Sequence, residues 1–259
     1  MRIPLYHLDA FSAKAFGGNP AAVCPLPGWI DDRLMQSIAA ENNLAETAFF
    51  VPASNEYHIR WFTPTDEVDL CGHATLASAQ VVFDHLDRDR QTVTFDSKSG
   101  PLRVDRRADS LVLDFPVLAP APRPAMPALA VALGATPLET YLAKSLLAVF
   151  GSERDVRALN PDFEAMRQLE SFGVIATAPG DHVDFVSRFF APKVGVPEDP
   201  ATGSAHCTLT PYWAARLNKT SLHAHQVSTR GGELWCELAG DRVHIAGRVT
   251  PYLAGTIDV

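Results

Sequence analysis

No run in the sequence approaches the roughly 18 consecutive apolar residues that a membrane-spanning helix needs, so no membrane partner is expected. The opening residues, MRIPLYHLDAF, lack the basic-then-apolar layout of a secretory signal and read as a strand. Basic residues are in deficit: 22 Lys and Arg against 30 Asp and Glu give a formal net charge of −8. That balance leaves no basic stripe to replace the counterions of a nucleic acid, which is therefore not an expected partner. Cysteines are few and scattered. Cys24, Cys71, Cys207 and Cys236 form no CxxC pair, which excludes a disulfide framework and points to a reducing, cytoplasmic compartment. The nine histidines contain one close pair, His223 and His225, with no third ligand beside them in the sequence. Alternating histidines on a strand then read as surface residues, and no metal is expected. What the chain does have is core material: 47% of its 259 residues are hydrophobic and 20% charged, enough for one large domain or two small ones.

Internal repetition decides between those two. Residues 57–64 read YHIRWFTP and residues 185–192 read FVSRFFAP, both fitting aromatic-x-x-Arg-aromatic-Phe-x-Pro at an offset of 128. Acidic residues follow each copy, Glu67 and Asp69 in the first, Glu198 and Asp199 in the second. A glycine then opens an apolar, helix-like run in each: HATLASAQVVF after Gly72 and SAHCTLTPYWAARL after Gly203. The order predicts a module used twice. Five prolines within residues 116–127 predict an extended linker, dividing an N-terminal lobe (1–118) from a C-terminal lobe (119–259). The extreme C-terminus is allowed to return to the first lobe.

Short β-branched and aromatic runs between polar breaks, such as ETAFFVPA, TVTFDS and FGVIATAP, predict strands. Ile30, Leu34, Met35, Ile38 and Ala39 have helical spacing, whereas the run after Gly72 is apolar nearly all round and predicts a helix enclosed by a sheet. The expected fold is α+β: two pseudo-symmetric lobes, each a curved, mostly antiparallel sheet or barrel around a central helix.

The two glycine turns carry the candidate chemistry. A glycine at a helix start permits close backbone approach, and the first N–H groups with the helix dipole favour an anion. If the lobes face each other about a pseudo-two-fold axis, both helix starts would hold a small carboxylate or an enolate oxygen in one cleft. The first turn presents Cys71, Gly72 and His73, and the second presents Glu198, Asp199, Thr202, Gly203 and Ser204. His73 is a proton donor or acceptor whose pKa a helix N-terminus would lower. Glu46, flanked by Leu44, Ala48 and Phe49, is a carboxylate entering apolar surroundings, which suits a general acid or base near neutral pH.

The segments DAFSAKAFGGNPAAV (9–23), NLAETAFF (43–50), RWFTPTDEVDLCGHATLA (60–77) and GVPEDPATGSAHC (195–207) closely resemble the PhzF-like family of phenazine-biosynthesis proteins. HQVSTRGGEL (225–234) is similar to that family's C-terminal block. The resemblance implies a fold like diaminopimelate epimerase and a cofactor-independent isomerase, similar to the enzyme that isomerises dihydro-3-hydroxyanthranilate. It places the general acid/base on Glu46 and assigns His73 and Asp199 to orient or relay. Asn19, Cys71, Gly72, Gly203 and Ser204 are assigned to substrate binding. A homodimer acting on a small carboxylate-bearing molecule is implied. Two alternatives stay open: an amino-acid epimerase or racemase using Cys71, and a small-ligand-binding protein without turnover. A two-thiol mechanism is disfavoured, because the position matching Cys71 in the second copy is Thr202 and Cys207 lies further into the run.

Overall fold

The computed structural model describes residues 1–259 and divides into two units, Met1–Asp114 with Ala246–Val259, and Phe115–Ile245. Unit 1 begins with β1 (Arg2–Ala10), β2 (Asn19–Pro25), α1 (Asp32–Asn42), β3 (Glu46–Ala53), β4 (Glu56–Phe62) and β5 (Glu67–Val68). It continues with α2 (Gly72–Val81), β6 (Thr92–Ser97), β7 (Gly100–Arg107) and β8 (Ser110–Pro116), whose end crosses the boundary. Unit 2 follows with β9 (Ala121–Arg123), α3 (Pro127–Leu133), β10 (Glu139–Leu142), β11 (Leu146–Val149), α4 (Glu153–Ala158) and α5 (Phe163–Arg167). Then come β12 (Val174–Pro179), β13 (Phe185–Ala191), β14 (Val196–Asp199), α6 (Gly203–Leu217), β15 (Ser221–Gln226), β16 (Gly232–Ala239) and β17 (Arg242–Gly247). A last strand, β18 (Val249–Asp258), rejoins unit 1.

Strand pairing repeats the duplication seen in the sequence. In unit 1 the strands run β18, β1, β2, β3, β4, β6, β7, β8, with β5 laid on β4. In unit 2 they run β9, β10, β11, β12, β13, β15, β16, with β14 laid on β13. Each sheet has its parallel pairs at the same two places, β2–β3 and β4–β6 in the first, β11–β12 and β13–β15 in the second. Those are the steps where a helix intervenes, since a parallel step needs a crossover that a tight turn cannot make. The remaining pairs in both units are antiparallel, and each sheet is open rather than a closed barrel.

The central helices explain themselves by composition. In α2 only Gly72 and Gln80 escape burial, and Ala74, Ala77, Ser78 and Ala79 keep the helix thin enough for β1, β2, β3, β7 and β18 to pack around it. The outer face of the unit 1 sheet is covered by α1, whose Met35, Ile38 and Ala39 pack with Cys24, Phe49 and Phe62. In unit 2, α3, α4 and α5 contribute Leu129, Leu133, Val156 and Met166 to the corresponding layer against Val174, Val186 and Phe190.

Most of the proline-rich segment, residues 117–120 and 124–126, lies outside helices and strands, and some of its prolines have defined places in elements. Pro122 lies in β9, an edge strand three residues long, where a missing N–H is tolerated, and Pro127 opens α3, where its fixed φ suits the first turn. Just before them, the Leu118 N–H donates to the Cys207 carbonyl at 3.0 Å. That carbonyl stands four residues before Pro211, inside α6, and Pro211 has no N–H to offer it. The proline in the helix and the pinned segment are thus two halves of one hydrogen-bonding solution.

Candidate active site

The loop between β1 and β2 sets up the first site. Phe11 and Phe16 both have positive φ (62° and 70°), and the Phe16 N–H is held by the Asp9 carboxylate at 2.8 Å. Gly18 has φ +63°, and a Cβ there would come within 2.1 Å of the Ala10 carbonyl oxygen, so only glycine fits. The turn delivers Asn19, wholly buried, to the first position of β2. α1 ends at Asn43 in the left-handed conformation, and β3 starts three residues later at Glu46, paired in parallel register with Ala21 of β2. Asn19 and Glu46 are therefore brought to the same end of adjacent strands. α2 starts beside them, with Cys71 as its cap residue and His73 in its first turn.

Four side chains converge there. Glu46 Oε2 lies 3.2 Å from His73 Nε2. The other ring nitrogen, Nδ1, is 3.1 Å from the Asn19 amide nitrogen and 3.5 Å from Cys71 Sγ. Pro20 has no N–H, so its carbonyl accepts a hydrogen bond from the His73 ring, while Nε2 lies against Glu46 Oε2 in a close contact that is not a hydrogen bond. Burial pushes the His73 pKa down to about 3, against the opposing hydrogen bond to the Pro20 backbone. Desolvation, rather than the helix N-terminus, is the leading cause, and its size changes the role expected of His73. At neutral pH the ring is uncharged, packed beside the carboxylate and not titrating. The donor atoms of Glu46, Cys71 and His73 also lie within 4.8 Å of one another, a spacing that could hold a metal ion.

Unit 2 builds a second assembly at the matching place. Asp199 ends β14, and its carboxylate accepts a short hydrogen bond from the Thr202 hydroxyl. Gln226, buried at the end of β15, organises the loop: its Oε1 accepts from the Thr202 N–H at 2.8 Å, and its Nε2 donates to the Asp199 carbonyl at 2.7 Å. Ser228 Oγ donates to the Pro200 carbonyl at 2.7 Å. Gly203 and Ser204 then open α6, and half-buried Ser204 faces a small cavity with Lys144, Ser145, Phe189 and Thr208.

A family model described as phenazine biosynthesis-like protein matches residues 8–255. The chain belongs to that family. An uncharacterized isomerase of Pseudomonas aeruginosa is 52% identical over 258 residues, covering 99% of each chain. A phenazine biosynthesis protein of the PhzF family from Enterococcus faecalis superposes with a TM-score of 0.98 at 48% identity, each chain covered completely. A hydroxyproline epimerase from Agrobacterium vitis shares the fold alone, with a TM-score of 0.64 at 12% identity over 99% of this chain and 92% of that one.

Within this PhzF-family chain the structure groups Asn19, Glu46, Cys71 and His73 in unit 1, and Asp199, Thr202, Gly203 and Ser204 in unit 2. The acidic residues at the turns divide into two kinds. Glu67 is taken up by Arg60 (2.8 and 2.9 Å), and Glu198 by Arg188 (2.7 and 2.9 Å), each in a two-bond fork. Hydrogen bonding from Arg60 holds the Glu67 carboxyl down at about 2. Glu67 and Glu198 are thus anchors for the repeated arginines. Gln226 is the residue that sequence reasoning passes over; it sits inside the HQVSTRGGEL block, but only folding brings it to Thr202. Cys207 lies inside α6 with its thiol pushed up to about 12 by burial, a poor proton carrier at neutral pH.

The two units differ at one telling position. Thr47 pairs with Phe62, and Val174 pairs with Phe190, the matching phenylalanine of the repeat. The residue one place earlier is Glu46 in unit 1 and Gly173 in unit 2. A Cβ at Gly173 would meet the Phe189 ring at 2.7 Å, so that site has no room for an acid.

Proposed function

We propose that the chain is a cofactor-independent isomerase that moves a proton on a small carboxylate-bearing, conjugated substrate. The supporting observation is the 3.2 Å approach of Glu46 Oε2 to the Nε2 of a buried, neutral His73. In this reading Glu46 is the general acid/base. Its carboxylate takes a proton from an sp3 carbon of the substrate, and the released electron pair shifts through the conjugated system. The new Glu46 carboxylic acid then returns the proton to the remote carbon. Composition and oxidation state are unchanged, so the step needs no redox partner. His73 packs against the carboxylate, Asn19 bonds the His73 ring, and Cys71 lies on the Nδ1 side of the ring. The backbone N–H group at Gly72, at the start of α2, receives a carboxylate or enolate oxygen.

A cytoplasmic homodimer belongs to the same reading; light scattering should then return twice the 28.1 kDa of one chain. The catalytic part is tested with trans-2,3-dihydro-3-hydroxyanthranilate and related dihydroaromatic acids in deuterated water. Product carrying up to one solvent deuterium is expected from the wild type, entering as the Glu46 acid proton exchanges with solvent before its return, and substrate deuterated at the abstracted carbon should pass the unexchanged remainder to the remote carbon. Glu46→Gln should lose about 10²- to 10⁴-fold in turnover. If Glu46→Gln turns over a confirmed substrate as fast as wild type, the assignment fails.

A further inference from the structure

In the sequence His223 and His225 lack a third ligand; the fold supplies one. Residues 223 and 225 share one face of β15, while Leu222, Ala224 and Gln226 are buried on the other. β16 runs antiparallel beside it, with His225 opposite Glu233 and His223 opposite Trp235. Glu233 Oε1 lies 2.9 Å from His223 Nε2 and 3.6 Å from His225 Nε2. The three donor atoms all fall within 4.8 Å of one another, and the residues are half-buried, open to solvent on one side.

Several contacts fix this arrangement in place. The His223 ring stacks on Trp235 at 1° and 5.3 Å, and meets His225 edge-on at 82° and 5.1 Å. The His223 backbone N–H donates to Asp184 Oδ2 at 2.7 Å, and the other oxygen of Asp184 holds Lys219 Nζ at 2.6 Å. The two imidazole nitrogens and the carboxylate oxygen converge on one point, where neutral rings and a carboxylate can all donate lone pairs to one cation. Tetrahedral ligands about 2.0–2.1 Å from zinc stand roughly 3.3 Å apart, close to the spacing seen here.

We propose that His223, His225 and Glu233 bind a divalent transition-metal ion of the zinc class, with the remaining coordination positions taken by water. Two imidazoles and one carboxylate select zinc, cobalt or nickel over magnesium and calcium, which favour all-oxygen sites. The ion would tie β15 to β16 on the solvent side of the sheet. β15 ends at Gln226, so the tie would also steady the loop that presents Asp199 and Thr202. The site is separate from Glu46 and His73 and stands whether or not the isomerase reading does.

The test is calorimetric titration of untagged, metal-stripped protein with zinc chloride and with magnesium chloride. One equivalent of zinc and no magnesium should bind, with a rise in thermal midpoint. His223→Ala with His225→Ala should weaken zinc at least about tenfold, since each is a direct ligand. Glu233→Gln keeps the side chain's shape and should weaken it by a similar factor, so the loss is not one of folding; circular dichroism checks both variants. Cobalt should give a spectrum of nitrogen and oxygen ligands, and Cys71→Ser should leave the affinity unchanged. Zinc affinity that survives the double histidine substitution, or that disappears in Cys71→Ser, overturns the proposal.

Discussion

Thr75 and His206 occupy the same place in the two central helices and make the same bond by different means. Thr75 Oγ1 donates to the Cys71 carbonyl at 2.5 Å, and His206 Nδ1 bonds the Thr202 carbonyl at 2.8 Å. Each turns back to the residue before the helix-opening glycine. A hydroxyl does this without any titration, but a buried imidazole brings a pH dependence with it.

That dependence has a definite sign. Burial lowers the pKa of His206 to about 4 and that of His73 to about 3, both from an ordinary 6.5. The unfolded chain therefore takes up protons that the folded chain refuses as pH falls below 6.5. Stability from this source is full above pH 6.5 and declines toward pH 4, by about 1.4 kcal/mol per pH unit for each histidine. Urea unfolding at stepped pH checks it. In His206→Asn, which keeps a side-chain donor, the slope should fall by about one proton's share.

Removing Asn19 should act through His73. Asn19→Ala leaves the Nδ1 side of a buried ring without its amide partner and frees the ring to turn away from Glu46. Turnover on a confirmed substrate should fall by as much as about 10²-fold with KM little changed, as expected when a catalytic carboxylate loses its alignment. Steady-state kinetics separates that outcome from a loss of binding.

The repeated arginines should differ in structural weight. Arg188 is 12% exposed and, besides its fork with Glu198, donates to the carbonyls of Val156 and Leu159. Arg188→Met would leave a half-buried carboxylate and two carbonyls without their donor, a loss of about 3–5 kcal/mol. Arg60 reaches Glu67 and Asp32, the latter on the surface with 72% of its side chain exposed. Arg60→Met should therefore cost less, and paired thermal melts compare the two.

Gly18→Ala should destabilise the chain by more than about 1 kcal/mol, because an L side chain is strained at that φ and the Cβ would strike the Ala10 carbonyl. Gly28→Ala is the control: nothing lies within 4 Å of a Cβ there, and its melting temperature should stay near that of the wild type.

The sequence makes legible whatever is local. The doubled aromatic-x-x-Arg motif, the glycines that open α2 and α6, and the apolar run enclosed by the sheet depend on neighbours within a few residues. The family resemblance carried the fold further than periodicity alone could. What the sequence hides is set by register across strands. Asn19 meets His73 across 54 positions, Gln226 meets Thr202 across 24, and Glu233 reaches His223 only because β15 and β16 pair as they do. The places that the prolines of 116–127 take in the fold are hidden for a related reason. Their composition forbids a regular ladder, yet a single edge strand and one helix start need no N–H from them. His73 was readable as a proton-handling residue, but its degree of burial was not.

The strand β18 closes the edge of unit 1 against β1, with partners from Arg2↔Asp258 to Ala10↔Val249. During synthesis those partners are separated by the whole of Phe115–Ile245. At roughly 5–20 residues per second, the ribosome needs on the order of ten seconds to make that intervening stretch. For that interval β1 presents an unpaired edge to solvent, while the segments of unit 2 emerge with their own closing strand, β9, already made. The second half of the duplication can complete its sheet first, and the first half completes its own last. A nascent chain stalled short of β18 would therefore carry an adhesive strand edge, making this segment a determinant of yield as well as of architecture.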